Sequence, residues 1–252
     1  MTDIVLERDG CVLVATINRP NKKNALTSDM YRVLGDALLD PDPEIGAVVI
    51  ASAGETFCAG NDLHDFVRAA GAVRSEGSTL PQTRFFEGLI HSPRPLVAAV
   101  HGAAIGIGAT MLLHCDLVYA SPTAALAMPF VSLGLVPEAA SSLLLPERVG
   151  LAVASEMLLL GASLGAERAA QLGLVNAVVP ATKVIIHAKQ QAKTLAAQPK
   201  EALRATRNLL RGADRERIAA RIALEVERFS ERLASAEAQN AFMSFLQRRS
   251  AN

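Results

Sequence analysis

Thr56-Phe57-Cys58-Ala59-Gly60-Asn61-Asp62-Leu63 is the stretch on which the fold turns. It follows an apolar run, Ala47-Val48-Val49-Ile50-Ala51, and leads into a helical-looking segment, so it reads as a junction between a buried strand and a helix. A glycine there lets the backbone bend, and free N–H groups at a helix start can face an anion. Alone, such a junction serves chain geometry as readily as ligand binding.

Upstream, Ile4 to Arg8 and Cys11 to Asn18 are β-rich runs around Asp9-Gly10, which predicts a hairpin. Beyond Asn18-Arg19-Pro20-Asn21, helical spacing of Met30, Val33, Leu34, Ala37 and Leu38 predicts a helix from Thr27 to Leu39, capped by Thr27 or Ser28 and closed before Pro41. Downstream, Leu96-Val97-Ala98-Ala99-Val100 and Asp116-Leu117-Val118-Tyr119-Ala120 are further buried-strand candidates with amphipathic segments between them. The Gly-, Ser- and Ala-rich stretch from Ala69 to Pro81 predicts a mobile loop, a candidate lid. From about Gly150 strand signals nearly vanish apart from Leu174 to Val179, and Ala-, Leu- and Arg-rich helical patterns run to Arg249.

Two later segments share the strand-to-helix character of the first. His101-Gly102-Ala103-Ala104-Ile105-Gly106-Ile107-Gly108-Ala109-Thr110 follows a buried strand and enters an apolar helix. Its glycines do not give GxGxxG, and it lies too far into the chain for a leading nucleotide unit, which excludes a dinucleotide fingerprint. Its small residues also suit close helix–strand packing. In Pro129-Phe130-Val131-Ser132-Leu133-Gly134-Leu135-Val136-Pro137-Glu138-Ala139-Ala140-Ser141-Ser142, Glu138 is a lone acid between an apolar stretch and a helix, and on spacing alone it reads as a first-turn glutamate complementing the helix dipole.

Composition narrows the rest. The chain has 252 residues, half of them hydrophobic, enough for one sizeable core in a single domain. Twenty-five basic residues balance twenty-five acidic ones, so no overall field favours nucleic acid or an anionic membrane. Cys11, Cys58 and Cys115 are odd in number and widely spaced, no histidine pair has metal-ligand spacing, and no metal is expected. The charged start, Asp3, Glu7, Arg8 and Asp9, lacks a signal-peptide stretch, and no apolar run is long enough to span a bilayer, so a cytoplasmic protein with reduced thiols is expected.

Taken together the three segments resemble the crotonase (enoyl-CoA hydratase/isomerase) superfamily. The likeness runs through nearly the whole chain: Asn18-Arg19-Pro20 through Asn24-Ala25-Leu26, Phe57 to Leu63, Pro95 to Gly102, Cys115-Asp116 and Gly173-Leu174-Val175 fall in order. Gly60-Asn61-Asp62-Leu63 and Pro137-Glu138 look most like the peroxisomal-type Δ3,Δ2-enoyl-CoA isomerases, with phenylacetate-pathway epoxide isomerases also similar.

The resemblance implies an α/β fold, a crotonase-like spiral of ββα units over residues 1–190, completed within the same domain by a helical C-terminal trimerisation region over 191–252. The expected partners are an acyl-CoA thioester substrate and copies of the chain in a homotrimer or dimer of trimers. Coenzyme A belongs to the substrate and no cofactor is implied. The resemblance makes the backbone N–H groups of Asn61 and Ile107 an oxyanion hole for the thioester oxygen and Glu138 the acid/base group. It brings Lys22 and Lys23 near the nucleotide end of coenzyme A, beside Ala25 and Leu26, although both also read as solvated surface lysines. Ala59, Gly60, Asp62 and Leu63 line the acyl-pantetheine groove, with Gly106 leading into the second donor.

Hydratases of the family use two glutamates to activate water. Their places fall here on Thr110 and Phe130, neither of which can act as a base. A single carboxylate in an apolar pocket can instead carry a proton from C2 to C4, shifting a 3-enoyl double bond to trans-2. Three other functions draw on the same parts: epoxide or ring isomerisation of an aromatic acyl-CoA, hydration helped by His64, and a non-catalytic CoA-ester-binding scaffold. Ser141 and Ser142 lack a nucleophile-elbow pattern, so acyl-enzyme chemistry is not expected.

Overall fold

The computed structural model describes residues 2–62, 65 and 82–250. The stretch expected to form a lid, Ala69 to Pro81, lies outside the described residues, as do Leu63 and His64.

The hairpin forms as expected. β1 (Ile4–Asp9) and β2 (Val12–Ile17) pair antiparallel, with Ile4 opposite Ile17 and Asp9 opposite Val12. Gly10, at φ +64°, takes the left-handed turn position. β3 (Ala47–Ser52), β4 (Leu96–Val100), β6 (Leu117–Ala120) and β9 (Ala177–Val178) then add in parallel, giving the order β1-β2-β3-β4-β6-β9.

Every residue of β3 and β4 is buried because both faces of this sheet are covered. Side chains alternate between the two faces. Leu13, Ala15, Val48, Ile50, Leu96, Ala98 and Val118 point into the larger core, which also takes in α1 (Ser28–Leu38) and α2 (Thr83–His91). Val12, Val14, Ala47, Val49, Val97, Ala99 and Tyr119 face the other way. That face is sealed by Val184, Ala188 and Ala192 of α6 (Val184–Ala196), one helix that runs through the expected 190/191 division. Each buried Val, Leu or Ile in these layers contributes roughly 1.5–3 kcal/mol.

A second sheet of three short strands, β5 (Ala103–Ile105), β7 (Ala125–Ala127) and β8 (Leu164–Gly165), runs β5-β7-β8. The sequence did not announce it. The His101 to Thr110 segment does not pass directly from strand to apolar helix; it forms β5 and then α3, a single turn over Ile107–Thr110 that continues as a 3-10 helix over Met111–His114.

Among the described residues the remaining α-helices are α4 (Ser141–Leu159, kinked at Gly150), α5 (Ala166–Gln171), α7 (Lys200–Arg211), α8 (Arg215–Leu233) and α9 (Ala236–Ser250). α7 is tied to the main sheet by ionic contacts rather than apolar ones. The buried Arg207 donates through Nε to both carboxylate oxygens of Asp116 at 3.0 and 2.9 Å, while Asp116 Oδ2 accepts from the Leu96 N–H at 2.8 Å. Asp116 thus joins the starts of two parallel core strands, β4 and β6, to α7.

Candidate active site

The Phe57 to Asp62 segment is held between two strand-like neighbours. On one side, Ala59 N–H donates to the Lys23 carbonyl at 3.0 Å, Leu26 N–H to the Gly60 carbonyl at 2.8 Å and Asp62 N–H to the Leu26 carbonyl at 2.8 Å. On the other, Cys58 N–H donates to the Ala103 carbonyl at 3.0 Å and Ile105 N–H to the Cys58 carbonyl at 2.8 Å. Lys23, Ala25, Leu26, Ala59, Gly60, Asp62 and Gly106 are therefore gathered in one place, with Lys22 and Lys23 exposed at its edge. Asn24, fully buried, braces the corner: its side chain accepts from Arg19 N–H and donates to the carbonyls of Ala53 and Thr56. Asp62 forms an ion pair with Arg19 at 2.7 Å, which commits its charge to the scaffold.

The two glycines at the heart of this arrangement face each other. Gly60 has φ +94°, and a Cβ on Gly106 would lie 3.9 Å from Gly60 Cα. One residue beyond each is a backbone donor left over. The alternation of the Leu26 pairing leaves the Asn61 N–H outside it, and Ile107, first residue of α3, has an N–H that no intrahelical carbonyl can reach. Neither N–H has an acceptor among the described residues.

Glu138 is buried, and its Oε1 has no hydrogen-bond partner among the described residues. Burial raises its carboxyl, with a further push from the negative charge of Glu225, to about 8; an interaction with the Asn61 side chain partly offsets both. Asn61 is in turn fixed by Tyr31 of α1, whose hydroxyl donates to Asn61 Oδ1 at 2.5 Å. Asn61 thus offers a left-over backbone N–H, while its side chain favours the ionised form of the acid.

Glu138 does not lie in the first turn of a helix, as its spacing suggested. α4 begins three residues later, at Ser141, and its first turn holds no acid. Between them Ala139 and Ala140 both adopt left-handed conformations, φ +56° and +57°, at a cost of roughly 1–2 kcal/mol each. The surroundings hold this turn. The buried His114, at the end of the helical run that starts with Ile107, donates from Nε2 to the Ala139 carbonyl at 2.8 Å. Burial pushes His114 down to about 4, so it is neutral near pH 7. From α8, Glu225 accepts from Ala140 N–H at 2.6 Å, Ser142 N–H at 3.0 Å and Ser142 Oγ at 2.5 Å. Ser141 Oγ donates to the Glu138 carbonyl at 2.7 Å. The two serines are turn staples.

Thr110 and Phe130 are buried, and Thr110 Oγ1 has no partner among the described residues. Burial pushes the Cys58 thiol up to about 12, which keeps it protonated. Among the described residues no three His, Cys, Asp or Glu side chains gather as a metal site, and no helix is long and apolar enough to cross a membrane.

Tyr31, His114 and Glu225 were not singled out in the sequence as parts of the site. Glu225 carried a usable signal: it sits three residues after Ile222 and four before Phe229, an acid on the buried stripe of its helix.

A left-over pair of backbone donors beside a dry carboxylate is chemistry for stabilising an oxyanion while a proton moves. Known proteins match the chain along nearly its whole length. The family profile described as enoyl-CoA hydratase/isomerase covers residues 7–252. Enoyl-CoA delta isomerase 2 of Rattus norvegicus is 36% identical over 98% of this chain, which spans 64% of that protein's length. The 2,3-dehydroadipyl-CoA hydratase of Escherichia coli strain K12 is 33% identical over 99% of this chain and 97% of its own. The crystal structure of an enoyl-CoA hydratase/isomerase from Pseudoalteromonas atlantica T6c superimposes with a TM-score of 0.92 at 39% identity, covering 98% of both chains. In sequence and fold, the chain belongs to the enoyl-CoA hydratase/isomerase family.

Proposed function

We propose that the protein moves the double bond of a 3-enoyl-CoA to the trans-2 position, with Glu138 carrying the proton. The observation that bears most weight is that the buried Glu138, its Oε1 without a partner among the described residues, is held back toward ionisation by the side chain of Asn61, the residue whose backbone N–H is left over. Glu138, ionised, takes a proton from C2. The electron pair moves into the thioester carbonyl, and the oxyanion is held by the N–H groups of Asn61 and Ile107, each worth roughly 3 kcal/mol of barrier. Glu138 then returns the proton to C4 as the pair closes the C2–C3 double bond. No atom is gained or lost, and no cofactor enters, since coenzyme A arrives with the substrate. Lys22 and Lys23 would meet its nucleotide end, and Ala59, Gly60, Asp62 and Leu63 its pantetheine arm beside Ala25, Leu26 and Gly106.

Relatives of similar identity carry isomerase and hydratase names. Isomerisation is favoured because hydration calls for a second group to handle water, and Thr110 and Phe130 offer none. Assembly as a trimer or dimer of trimers belongs to the same proposal, supported by apolar side chains left exposed on α4 and α7, among them Leu159, Leu209 and Leu210. Sedimentation at a monomer's mass would remove that part.

Replacing Glu138 by Gln tests the chemistry. Turnover of a 3-enoyl-CoA should fall roughly 10²–10⁴-fold, with binding of the CoA ester retained. Unchanged turnover would overturn the assignment.

A further inference from the structure

We propose that Glu225 is a positioning residue for the Glu138 base: from the far C-terminal helix α8 it clamps the left-handed Ala139-Ala140 turn and keeps a second negative charge beside the acid. It rests on Glu138 being the base.

The geometry carries the clamp. Both oxygens of Glu225 are acceptors, Oε2 from Ala140 N–H at 2.6 Å and Oε1 from Ser142 N–H and Oγ at 3.0 and 2.5 Å. Three donors aimed at both oxygens of a carboxyl favour its ionised form. These N–H groups belong to the turn after Glu138 and the first turn of α4, which has no capping side chain of its own. Two consecutive left-handed alanines persist only where the surroundings over-determine them. A glutamate 87 residues downstream of Glu138, on a helix face otherwise made of Ile222 and Phe229, supplies that determination.

The same charge bears on the chemistry. Among the described residues, the titratable groups that act on or face Glu138 are Glu225 from α8, Tyr31 from α1, and Cys58 from the segment beside Gly60. The neutral His114 holds the adjoining Ala139 carbonyl. Burial raises the Glu225 carboxyl above the ordinary carboxylate range, and the bonds from Ser142 and Ala140, with Arg221 one turn earlier donating to Ser142 Oγ at 3.2 Å, hold it back toward the ionised form. Glu225 is the group among these that adds negative charge near Glu138, and a neighbouring negative charge makes a carboxylate a stronger base.

The experiment compares Glu225→Gln, Glu225→Asp and Glu138→Gln with the wild type in 3-hexenoyl-CoA isomerisation, measured as kcat, KM and the pH profile of kcat/KM. Glu225→Gln should lower kcat roughly tenfold with KM little changed, and move the acid limb to lower pH by about half a unit or more. Glu225→Asp, which keeps the charge on a shorter arm, should lower kcat and leave the limb in place. An acid limb unmoved by Glu225→Gln would overturn the proposal. If Glu225→Gln does not fold, Ser142→Ala loosens the same clamp from the other side, and a kcat equal to wild type would overturn the proposal instead. Failure of the base assignment is separate: it would appear as full activity in Glu138→Gln, whatever Glu225 does.

Discussion

The Tyr31 hydroxyl donates to Asn61 Oδ1 at 2.5 Å, so Asn61 is fixed at its side chain by α1 while its backbone is set by the pairing of its neighbours with Leu26. One residue can then serve both the oxyanion and the acid because neither end is free to turn. Tyr31→Phe keeps the buried ring and removes the donor. The expected result is a fold close to wild type, destabilised by about 1 kcal/mol, with kcat reduced roughly tenfold and KM little changed; thermal melting and steady-state kinetics check both.

Glu138 makes stability depend on pH in a stated direction. Its carboxyl titrates at about 8 when folded, against 4.5 for the ordinary group, so between these values the folded chain holds a proton that the unfolded chain has lost. Its contribution is fully present below pH 4.5 and is lost as pH rises to 8. Glu138→Gln removes this dependence. The variant should melt higher than wild type, by a margin that grows across that window and is level above it, reaching several kcal/mol at about 1.4 kcal/mol per pH unit.

The same raised carboxyl sets the rate profile. With Glu138 as the proposed base, the free enzyme would need it ionised to remove a proton, so kcat/KM for a 3-enoyl-CoA should climb with pH and level off above about 8. His114, held near 4 by burial, gives no step between 5 and 7.

Close approach of the two donor segments depends on Gly108. A Cβ there would lie 2.7 Å from the Cys58 carbonyl oxygen and 2.8 Å from Cys58 Cβ, against the carbonyl that accepts from Ile105 N–H. Gly108→Ala should destabilise the protein by roughly 1–3 kcal/mol and lower kcat by spreading the Asn61 and Ile107 donors. Gly165→Ala, where a Cβ meets nothing within 4 Å, is the matched control and should leave both unchanged.

Much of this architecture is legible in the residues. Ala47 to Ala51 and Leu96 to Val100 announce buried parallel strands because a sheet covered on both faces writes itself as an unbroken apolar run. Thr27 caps α1 where its type and position suggest, accepting from Met30 N–H. The second sheet is illegible because Ala103–Ile105 and Ala125–Ala127 are too short for a period to emerge, and their pairing joins parts of the chain about twenty residues apart. Glu138 is visible as a lone acid, but its surroundings are not, since the turn that presents it is stabilised by Glu225, His114 and the strained alanines rather than by local pattern. Tyr31 falls on the buried face of α1 beside Met30 and Leu34 and reads as core; its hydroxyl acquires a role only when the Gly60 bend brings Asn61 to it.

The central claim is that one carboxylate beside two free backbone donors moves a proton without recruiting water. Incubating the protein with 3-hexenoyl-CoA, and separately with crotonyl-CoA, while following the ultraviolet absorbance of the conjugated 2-enoyl thioester tests it directly. The predicted result is rapid gain of conjugation from 3-hexenoyl-CoA, abolished by Glu138→Gln, with no loss of it from crotonyl-CoA. Hydration of crotonyl-CoA without isomerisation of 3-hexenoyl-CoA would contradict it.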